Sequence, residues 1–420
     1  MLGILIWSAF HAASPEPLDL ASLLEQARQR NPAIAAARGR QAAAEAVPSQ
    51  VEALPDPMAS IAYTNESLDD ITLGDSVDSF LALSWLQELP YPGKRRLAGD
   101  VARREADGAA LGVSQRELEI AARVKQVYAD LYRLDRTASI LDESRFLLSS
   151  LLDATRARYE AGEGLLQNVL KAQTEIAVLE AQGERIHQER GAAAARMRAL
   201  VGDTDRLPLG PATALPDTVA ELDAAALEAE ALARSPVILQ AQAAVGAGEA
   251  RLELARKDLK PDFSYGAGYS YRGDLDPMVM GMFGVRLPLY RQNKQAQGVV
   301  QASAEVDAAV QDLAATRLEI AAEVQELASR ADRAARLITI YEQSILPQAR
   351  SALESSSVAY GVGRVDFLTL LNDFSSLFRS QLDLEAQKAE RVSALAALER
   401  LTALPLVQSG TAGPAGEARP

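Results

Sequence analysis

The 420-residue sequence contains no cysteine and only two histidines, His11 and His187. With so few of these side chains, the chain cannot form a disulfide framework, a zinc finger, an iron–sulfur site or a Cys–His nucleophile pair. Basic residues are also in deficit, 43 against 57 acidic ones, which gives a formal net charge of −14. This balance argues against nucleic acid as a partner, because binding a phosphate backbone requires clustered Lys and Arg.

Aromatic residues make up only 5% of the chain, although 48% of it is hydrophobic. Because Ala, Leu and Val supply most of the apolar content, the composition favours long helices that pack through small side chains. No stretch after the N-terminus has the roughly 20 consecutive apolar residues that a membrane-spanning helix requires. If this protein crosses a membrane, we expect it to do so as β-strands.

Sequence motifs of catalysis are missing too. There is no Gly-x-Ser-x-Gly elbow and no His-Glu-x-x-His pair, and Gly93-Lys94 lacks the earlier glycine of a phosphate-binding loop. The many Asp and Glu residues are spaced as solvated helix faces. We therefore predict neither an enzymatic activity nor a bound cofactor.

The two ends of the chain differ in composition from the rest. Residues 1–17 join an apolar run to small residues and prolines, which resembles a secretory signal peptide; the alternative is a disordered N-terminus. Residues 405–420 are rich in Gly, Ala and Pro, so we predict a disordered tail.

Between these ends, the two halves of the chain match at an offset of about 200 residues. The letters LEIAA at 118–122 recur at 318–322, and Asn31-Pro32 returns as Ser235-Pro236. The matches keep their order, which predicts a duplication with a first repeat at 18–213 and a second at 214–404. The Pro- and Gly-rich stretch 203–217 is predicted to be a surface connector.

Each half predicts a helix that begins with Pro, then two strands, a very long helix and a returning helix. Apolar residues at alternating steps of four and three form a heptad seam in the long helix, which over 97–158 would span roughly 90 Å. Gly162-Glu163-Gly164 and Gly361-Val362-Gly363 then predict tight reversals, with return helices over about 165–200 and 366–404. Each half is thus predicted to be a long helical hairpin.

Four segments have strand character, at 58–66, 78–87, 262–272 and 278–287. The third is the clearest, because its aromatic residues share one face and its small polar residues share the other. We predict that the aromatic face contacts lipid, through Phe263, Tyr265, Tyr269 and Tyr271. The alternative is a soluble two-layer sheet that would bury the same face.

Four strands leave two open edges, and in hydrocarbon each unpaired backbone group costs several kcal/mol. One chain is therefore not expected to close a barrel. Copies must pool their strands: two copies would supply eight and three would supply twelve, and only the larger set leaves an aqueous lumen.

The sequence resembles the TolC-type outer-membrane efflux proteins over about residues 18–404, through the order of its elements rather than any single motif. The resemblance rests on the paired helix starts, the strand entry Leu54-Pro55-Asp56-Pro57, the letters QELPYPGKR at 87–95, and the Tyr-x-x-Gly tips at Tyr159 and Tyr360. It implies a fold that is mostly α with a membrane β-barrel portion. Duplicated helical hairpins would form a long periplasmic tunnel, and four strands per chain would complete a 12-stranded barrel in a homotrimer.

The same resemblance implies a function and a location. The protein would be the exit duct of a tripartite efflux system in the outer membrane of a Gram-negative bacterium, with a periplasmic adaptor and an inner-membrane RND-type pump as partners. Segment 87–95 looks most like the heavy-metal-cation branch (CusC and CzcC relatives), which predicts metal cations as cargo. The alternatives are a type I protein-secretion or drug-efflux duct of the same fold, and a periplasmic coiled-coil scaffold or adaptor.

The resemblance also indicates two kinds of site in the hairpins. Adaptor contacts map to the tips, at Ala161, Gly162, Glu163, Val362, Gly363 and Arg364. A periplasmic gate maps just beyond them, where the family commonly has aspartates in the second repeat. This chain has Asn168, Lys171, Thr369 and Asn372 at the matching positions, with Asp366 and Asp373 nearby as possible substitutes.

Three methionines alternate in the fourth strand segment, at Met278, Met280 and Met282. Alternation places their thioethers on one strand face, and soft sulfur ligands suit Cu(I) or Ag(I). The alternative is that they simply occupy a barrel strand or its loop.

Overall fold

The computed structural model describes residues 17–66, 71–73, 76–204, 208–219 and 221–408. Nearly all of the predicted signal-like segment lies outside this range, as does most of the predicted tail. The described helices are α1 Leu20–Arg30, α2 Pro32–Glu45, α3 Val47–Glu52, α4 Lys94–Glu160, α5 Leu166–Val201, α6 Ala224–Arg234, α7 Pro236–Lys257, α8 Gln295–Ile340, α9 Leu346–Gly361 and α10 Phe367–Thr402. The described strands are β1 Met58–Thr64, β2 Phe80–Leu89, β3 Asp217–Thr218, β4 Asp262–Arg272, β5 Leu275–Arg286 and β6 Val407–Gln408.

The order of elements confirms the predicted fold class. Each half has helices, then a strand pair, then a long helix and a returning helix. The first long helix, α4, runs unbroken for 67 residues. None of the described helices combines the length and the apolarity needed to cross a membrane.

The helices that follow the paired Pro begin differently from one another. The Asn31 side chain accepts a hydrogen bond from Ala33 N at 2.8 Å, as a helix N-cap does. The Ser235 hydroxyl is buried without a hydrogen-bond partner, so Ser235 does not cap α7 in this way. The first of these helices, α2, ends at Glu45, and a short α3 follows with Pro48 in its first turn.

The described residues divide into two compact units. The helical unit contains residues from 1–35, 115–235 and 319–420, and the strand unit contains residues 36–114 and 236–318. The core of the helical unit is apolar, with Val124, Leu131 and Leu134 of α4 and Leu370 of α10 at most 2% exposed. These α4 positions belong to the predicted heptad seam, so the seam is buried here.

The connector between the repeats is held to the helical unit by side chains. Asp135 accepts hydrogen bonds from Arg190 Nε at 2.5 Å and from Ala212 N at 2.8 Å. Arg190 also donates to Gly210 O at 3.0 Å, and Ala212 is only 1% exposed. The predicted surface connector therefore includes a buried anchor.

The predicted tail also begins in ordered structure. Glu399 of α10 accepts hydrogen bonds from Lys125 Nζ at 2.5 Å, Leu406 N at 2.7 Å and Val407 N at 2.8 Å. Val407 is 2% exposed, and β6 pairs with β3. The prediction of disorder from residue 405 onward is therefore wrong for 405–408, because a buried charged pair satisfies the backbone there.

The strand unit contains one four-stranded antiparallel sheet in the order β1-β2-β4-β5. Its strands match the predicted segments with shifted ends. The β5 strand starts at Leu275, before Pro277, because a Gly273 turn with φ +58° brings Arg272 opposite Leu275. Proline is tolerated there because it lies beside the register shift between Ser270 and Arg272, where the pairing of β4 and β5 is irregular.

The second long helix contains a feature that the sequence analysis did not predict. A π-helical turn, Tyr341–Ile345, separates α8 from α9, and Leu346 N bonds to Tyr341 O across it. A π turn accommodates one extra residue in a helix. In the sequence, Leu318 follows Leu118 by 200 residues, whereas Tyr360 follows Tyr159 by 201. The second repeat therefore carries one additional residue, and the π turn absorbs it.

Candidate functional site

The two hairpin tips are built by the same backbone motif. At the first tip Gly162 has φ +75°, with Gly162 N bonded to Tyr159 O at 3.0 Å and Glu163 N bonded to Arg158 O at 2.9 Å. At the second, Gly363 has φ +71° and makes the corresponding bond to Tyr360 O. This is the Schellman arrangement, whose left-handed position favours glycine. By contrast, Gly361 lies within α9 and has open space around its Cα, so it is not required by the reversal.

The six predicted adaptor-contact residues lie at these tips, and all are exposed: Ala161, Gly162, Glu163, Val362, Gly363 and Arg364. Val362 shows 66% of its surface although it is apolar. An exposed valine at the end of a hairpin leaves apolar surface available to another molecule. Adaptor contact at these residues stays a prediction.

Beside the exposed residues, the two tips of one chain are joined by a cluster centred on Tyr360. Arg158 donates a hydrogen bond to Tyr360 O, and its guanidinium carbon lies 5.0 Å from the centre of the Tyr360 ring. The Tyr360 hydroxyl donates to Thr155 Oγ1 at 3.2 Å, and the ring meets Phe367 edge-on at 5.8 Å. We call these four residues the tip cluster. It holds α4 and α9 together through a desolvated ring and charge-assisted bonds.

The tyrosines of the two Tyr-x-x-Gly motifs are in unlike environments. Tyr360 is 7% exposed, whereas Tyr159 is 43% exposed. The sequence analysis recognised the two residues as equivalents but gave no sign that only one is buried in a single chain. It also missed Arg158, whose role depends on the packing of one tip against the other.

The predicted gate residues lie near the tips but differ in role. Asp366 is the N-cap of α10 and accepts a hydrogen bond from Thr369 N at 2.8 Å. Thr369 and Asn372 are exposed, while Asp373 is half-buried on the same helix. On α5, Asn168 and Lys171 are also half-buried.

The ionisation of Asp366 follows from its position as a cap. Its hydrogen bonds from Thr369 hold the pKa of the carboxyl below its ordinary value, and the charge of Lys171 acts in the same direction. Asp366 therefore carries a full negative charge at neutral pH. One acidic group and one lysine thus lie close together at this level of the hairpins.

The sheet of the strand unit has two chemically different faces. Directly opposed residues of antiparallel strands share a face, so the register defines each one. The first, which we call the tyrosine face, contains all four predicted lipid-facing residues and their cross-strand partners: Phe263, Tyr265, Tyr269 and Tyr271, with Leu81, Leu83, Gln87, Leu89, Val279, Phe283 and Val285. Trp85 meets Tyr265 edge-on at 5.4 Å across strands.

Apolar side chains on the tyrosine face are open to the surroundings of the single chain. Ile61 is 74% exposed, Val279 82% and Phe283 74%. A soluble two-layer sheet would cover such residues with a second layer, and none of the described elements covers them. The geometry therefore favours a face built for an apolar medium.

The opposite face, which we call the methionine face, carries small and thioether side chains. The register pairs Met278 with Ser270, Met280 with Gly268 and Met282 with Gly266. Ser60 and Ser84 share a hydrogen bond of 2.7 Å on the same face. The three methionines thus lie together, as the alternation predicts.

The segment QELPYPGKR fastens the end of β2 to the start of β4. Lys94 Nζ lies 2.8 Å from Asp262 Oδ1 and 3.2 Å from Asp258 Oδ1. Asp262 also accepts a hydrogen bond from Tyr91 N at 2.8 Å. Lys94 is 9% exposed and the Asp262 side chain 27%, so this pair is partly shielded from solvent, whereas the Asp258 side chain is 54% exposed. The sequence analysis used this segment only for its resemblance, whereas its role within the chain is to join two strands.

Comparison with protein families gives an independent result. The family model described as outer membrane efflux protein matches residues 23–203 and 227–404. The chain is 26% identical over 394 residues to the pyoverdine export outer membrane protein OpmQ of Pseudomonas putida, covering 89% of this chain and 82% of that protein.

Solved structures share the fold at lower identity. The outer membrane protein VceC of Vibrio cholerae superposes with a TM-score of 0.76 at 20% identity, over 91% of this chain and 95% of that one. CusC, whose structures concern transmembrane channel formation, gives a TM-score of 0.76 at 17% identity, over 93% and 95% of the two chains.

Proposed function

The chain belongs to the outer membrane efflux protein family, and on this premise we propose that three copies form the exit duct of a tripartite efflux system. The tyrosine face contacts outer-membrane lipid, and the methionine face lines the lumen of a 12-stranded barrel. The repeats, at 18–213 and 214–404, supply helical hairpins that extend the duct into the periplasm. A periplasmic adaptor and an inner-membrane pump deliver cargo to the hairpin end.

One observation carries this proposal: an apolar sheet face joined to two open edges. In the described sheet, β1 and β5 each have a neighbour on one side only. Backbone groups cannot stay unpaired in hydrocarbon, so β1 of one copy must pair with β5 of the next. Three copies close such a ring and leave a lumen, whereas eight strands from two copies would be filled by their side chains.

Exposed apolar side chains on α8 support the same assembly. Val300 is 61% exposed, Val310 44% and Leu318 74%. Ala110 and Leu118, the α4 equivalents of the last two, are half-buried. The two helices are equivalent in the repeats, so we propose that a neighbouring copy covers this part of α8. Family membership also favours a duct over the scaffold or adaptor alternative.

The direct test is the state of the purified protein. We expect extraction only with detergent, a mass of three chains by light scattering, and ion conductance in planar bilayers. Replacing Tyr269 by Arg places a charge on the lipid face and costs about 2–4 kcal/mol if the residue lies at mid-membrane. Replacing its neighbour Ser270 by Arg serves as the matched control, because Ser270 faces the lumen. A soluble monomer, or equal loss of assembly in both variants, would contradict the proposal.

We further propose that acidic residues near the hairpin tips favour cations at the entrance. Asp366 and Asp373, present in three copies, concentrate negative potential in a narrow passage. Neutralising either one, as Asp366→Asn or Asp373→Asn, is expected to lower the ratio of cation to anion permeability in planar bilayers. Asp153→Asn, an exposed site on α4, is the matched control. Unchanged selectivity in all three variants would contradict the proposal of an acidic gate.

Two cargo classes have support, and one experiment separates them. The resemblance of segment 87–95 to the heavy-metal branch favours metal cations, which we propose as the cargo. The similarity to OpmQ favours export of pyoverdine or a similar organic molecule as the second candidate. Deleting the gene should lower tolerance to one or more heavy-metal cations if the first is right. Normal metal tolerance with reduced secretion of an organic product would favour the second.

A further inference from the structure

Methionine is concentrated at one place in this protein. The sequence has six methionines, and three of them, Met278, Met280 and Met282, fall within five residues of β5. Two of these three are half exposed, Met278 at 53% and Met280 at 51%. An apolar side chain on a face that lines water gains little from burial, so packing alone does not account for the set.

The neighbouring strand provides room for these side chains. A Cβ atom on Gly268 would lie 3.3 Å from the terminal methyl of Met280, and one on Gly266 would lie 3.2 Å from that of Met282. The thioethers therefore lie across the glycines of β4 instead of standing alone. This places the sulfur atoms in a row along the surface of the methionine face.

The surroundings of the row select the kind of ligand. Opposite the methionines are Ser270, Gly268 and Gly266, and no carboxylate or imidazole lies among them in the described register. Charged groups lie toward the ends of the paired strands, at Asp262 and Arg286 on one side and at Arg272 and Asp276 on the other. Of these, Asp276 is the nearest to the methionines along β5, two residues before Met278. Thioether sulfur without hard oxygen ligands selects Cu(I) and Ag(I) over Zn²⁺, Ni²⁺ or Co²⁺.

The spacing of the row permits shared coordination. Residues two apart on a strand are separated by about 7 Å along it. A methionine side chain has three rotatable bonds, so neighbouring sulfurs can turn toward one ion between them. A site with two thioethers binds weakly enough for release, which conduction requires.

We propose that Met278, Met280 and Met282 form a transit site for Cu(I) or Ag(I) on the lumen surface, repeated in each copy. The inference rests on the proposed function, because the lumen position depends on the barrel. It narrows the cargo from metal cations in general to soft monovalent ones.

The test measures Cu(I) binding to the full-length purified protein by equilibrium dialysis under anaerobic, reducing conditions. We expect sulfur-only coordination in the X-ray absorption spectrum of the wild-type complex. The variant Met278→Leu/Met280→Leu/Met282→Leu preserves side-chain volume and is expected to bind about tenfold more weakly or worse, since its ligands are gone. The single variant Met197→Leu, a buried residue of α5 outside the sheet, is the control and should bind as the wild type does.

The outcomes separate this inference from the proposed function. Absence of sulfur-coordinated copper in the wild type, or unchanged binding in the triple variant, overturns the methionine site while channel conductance stays intact. Loss of trimer formation and conductance in the wild type overturns the duct instead. If the triple variant fails to assemble, Met280→Leu alone, measured with the wild-type absorption spectrum, decides the question.

Discussion

The two hairpins of this protein share one order of elements, yet they differ in the continuity of their long helices and in the contacts at their tips. The first rises through α4 without a break, whereas the second is interrupted by the π turn at 341–345 just before Pro347. The turn is tied to α10 by Tyr341, which donates to Asp383 at 3.2 Å, and by Glu342, 3.0 Å from Lys388 Nζ. One additional residue thus distinguishes the second long helix, which contains a π turn, from the continuous first one.

The two tips also share a backbone geometry while differing in their side-chain contacts. Both reverse through the same glycine geometry, but the tip cluster buries Tyr360 and leaves its counterpart Tyr159 exposed. The helices that follow differ as well, because α10 is capped by the Asp366 side chain and α5 begins after Leu165 without any side-chain cap. Duplication preserved the backbone plan, while single residues gave each copy its own contacts.

The largest expected effect comes from placing in α4 the proline that follows the π turn of the second hairpin. Pro347 corresponds to Phe146 once the extra residue is counted. Phe146→Pro should destabilise α4 by about 3 kcal/mol, because α4 has no additional residue to absorb the lost hydrogen bond. Hydrogen exchange should become faster in α4 around that site, and unchanged exchange would show that α4 tolerates a break.

The reciprocal change removes the π turn from the second hairpin. Deleting Ser344 together with Pro347→Phe restores the residue spacing of the first repeat. We expect a continuous α-helix and slower hydrogen exchange across 341–347, because every backbone N–H regains its regular partner. If the π turn persists, its contacts with Asp383 and Lys388 maintain it, and the proline does not.

The tip tyrosines give the next largest contrast. Tyr360→Ala removes a buried ring and should cost about 3 kcal/mol, the range for large-to-small changes at aromatic core positions. In the isolated chain, Tyr159→Ala should cost well under 1 kcal/mol, because its ring is partly solvated. Hydrogen exchange at the end of α9 provides the measurement. Equal effects of the two changes would mean that the tip cluster does not hold the tips together.

A smaller effect is expected from the ion pair at the π turn. Lys388 and Glu342 are partly exposed, at 27% and 48% of their side-chain surface. Screening by solvent limits such a pair, so Glu342→Gln should cost about 0.5 kcal/mol, and it leaves the contact of Lys388 with the buried Glu385 in place. The matched control is Arg336→Met, whose pair with Asp332 lies within α8 and does not involve the turn. Faster exchange at 341–345 in the first variant alone would assign the effect to the turn.

The smallest effect concerns the helix caps and depends on pH. Hydrogen bonds from Thr369 depress the folded-state pKa of Asp366, so its stabilisation of α10 is present above the ordinary carboxyl pKa. That stabilisation is lost as pH falls through the depressed value. Asp366→Asn keeps a capping oxygen and should remove the pH dependence of exchange at the start of α10. Leu165→Asp should introduce the same pH dependence of exchange at the start of α5. If it does not, the helix cap is not the cause of the pH dependence in α10.

Much of the hairpin plan was predictable because its signals are local. Gly162 and Gly363 identify their reversals through backbone conformation alone, and the alternating residues of β4 identify two faces of a strand. The π turn was also recorded in the sequence, as the change of offset between Leu318 and Tyr360, but that change was not interpreted. The burial of Tyr360 and the anchoring of Ala212 had no such signal, because both depend on helices far away in the chain.

What the sequence by itself determined is the set of elements: a duplicated order of helices and strands, a tight turn at each tip, and a strand pattern with aromatic residues on one side. These follow from periodicity and from residues with restricted or permissive backbones, which act over a few positions. Only the tertiary structure decided which copy of a repeated residue is buried, as with Tyr159 and Tyr360. It also decided that the methionines of β5 lie opposite glycines of β4. Those outcomes depend on what packs against each surface, and similar local sequences in the two halves meet different neighbours.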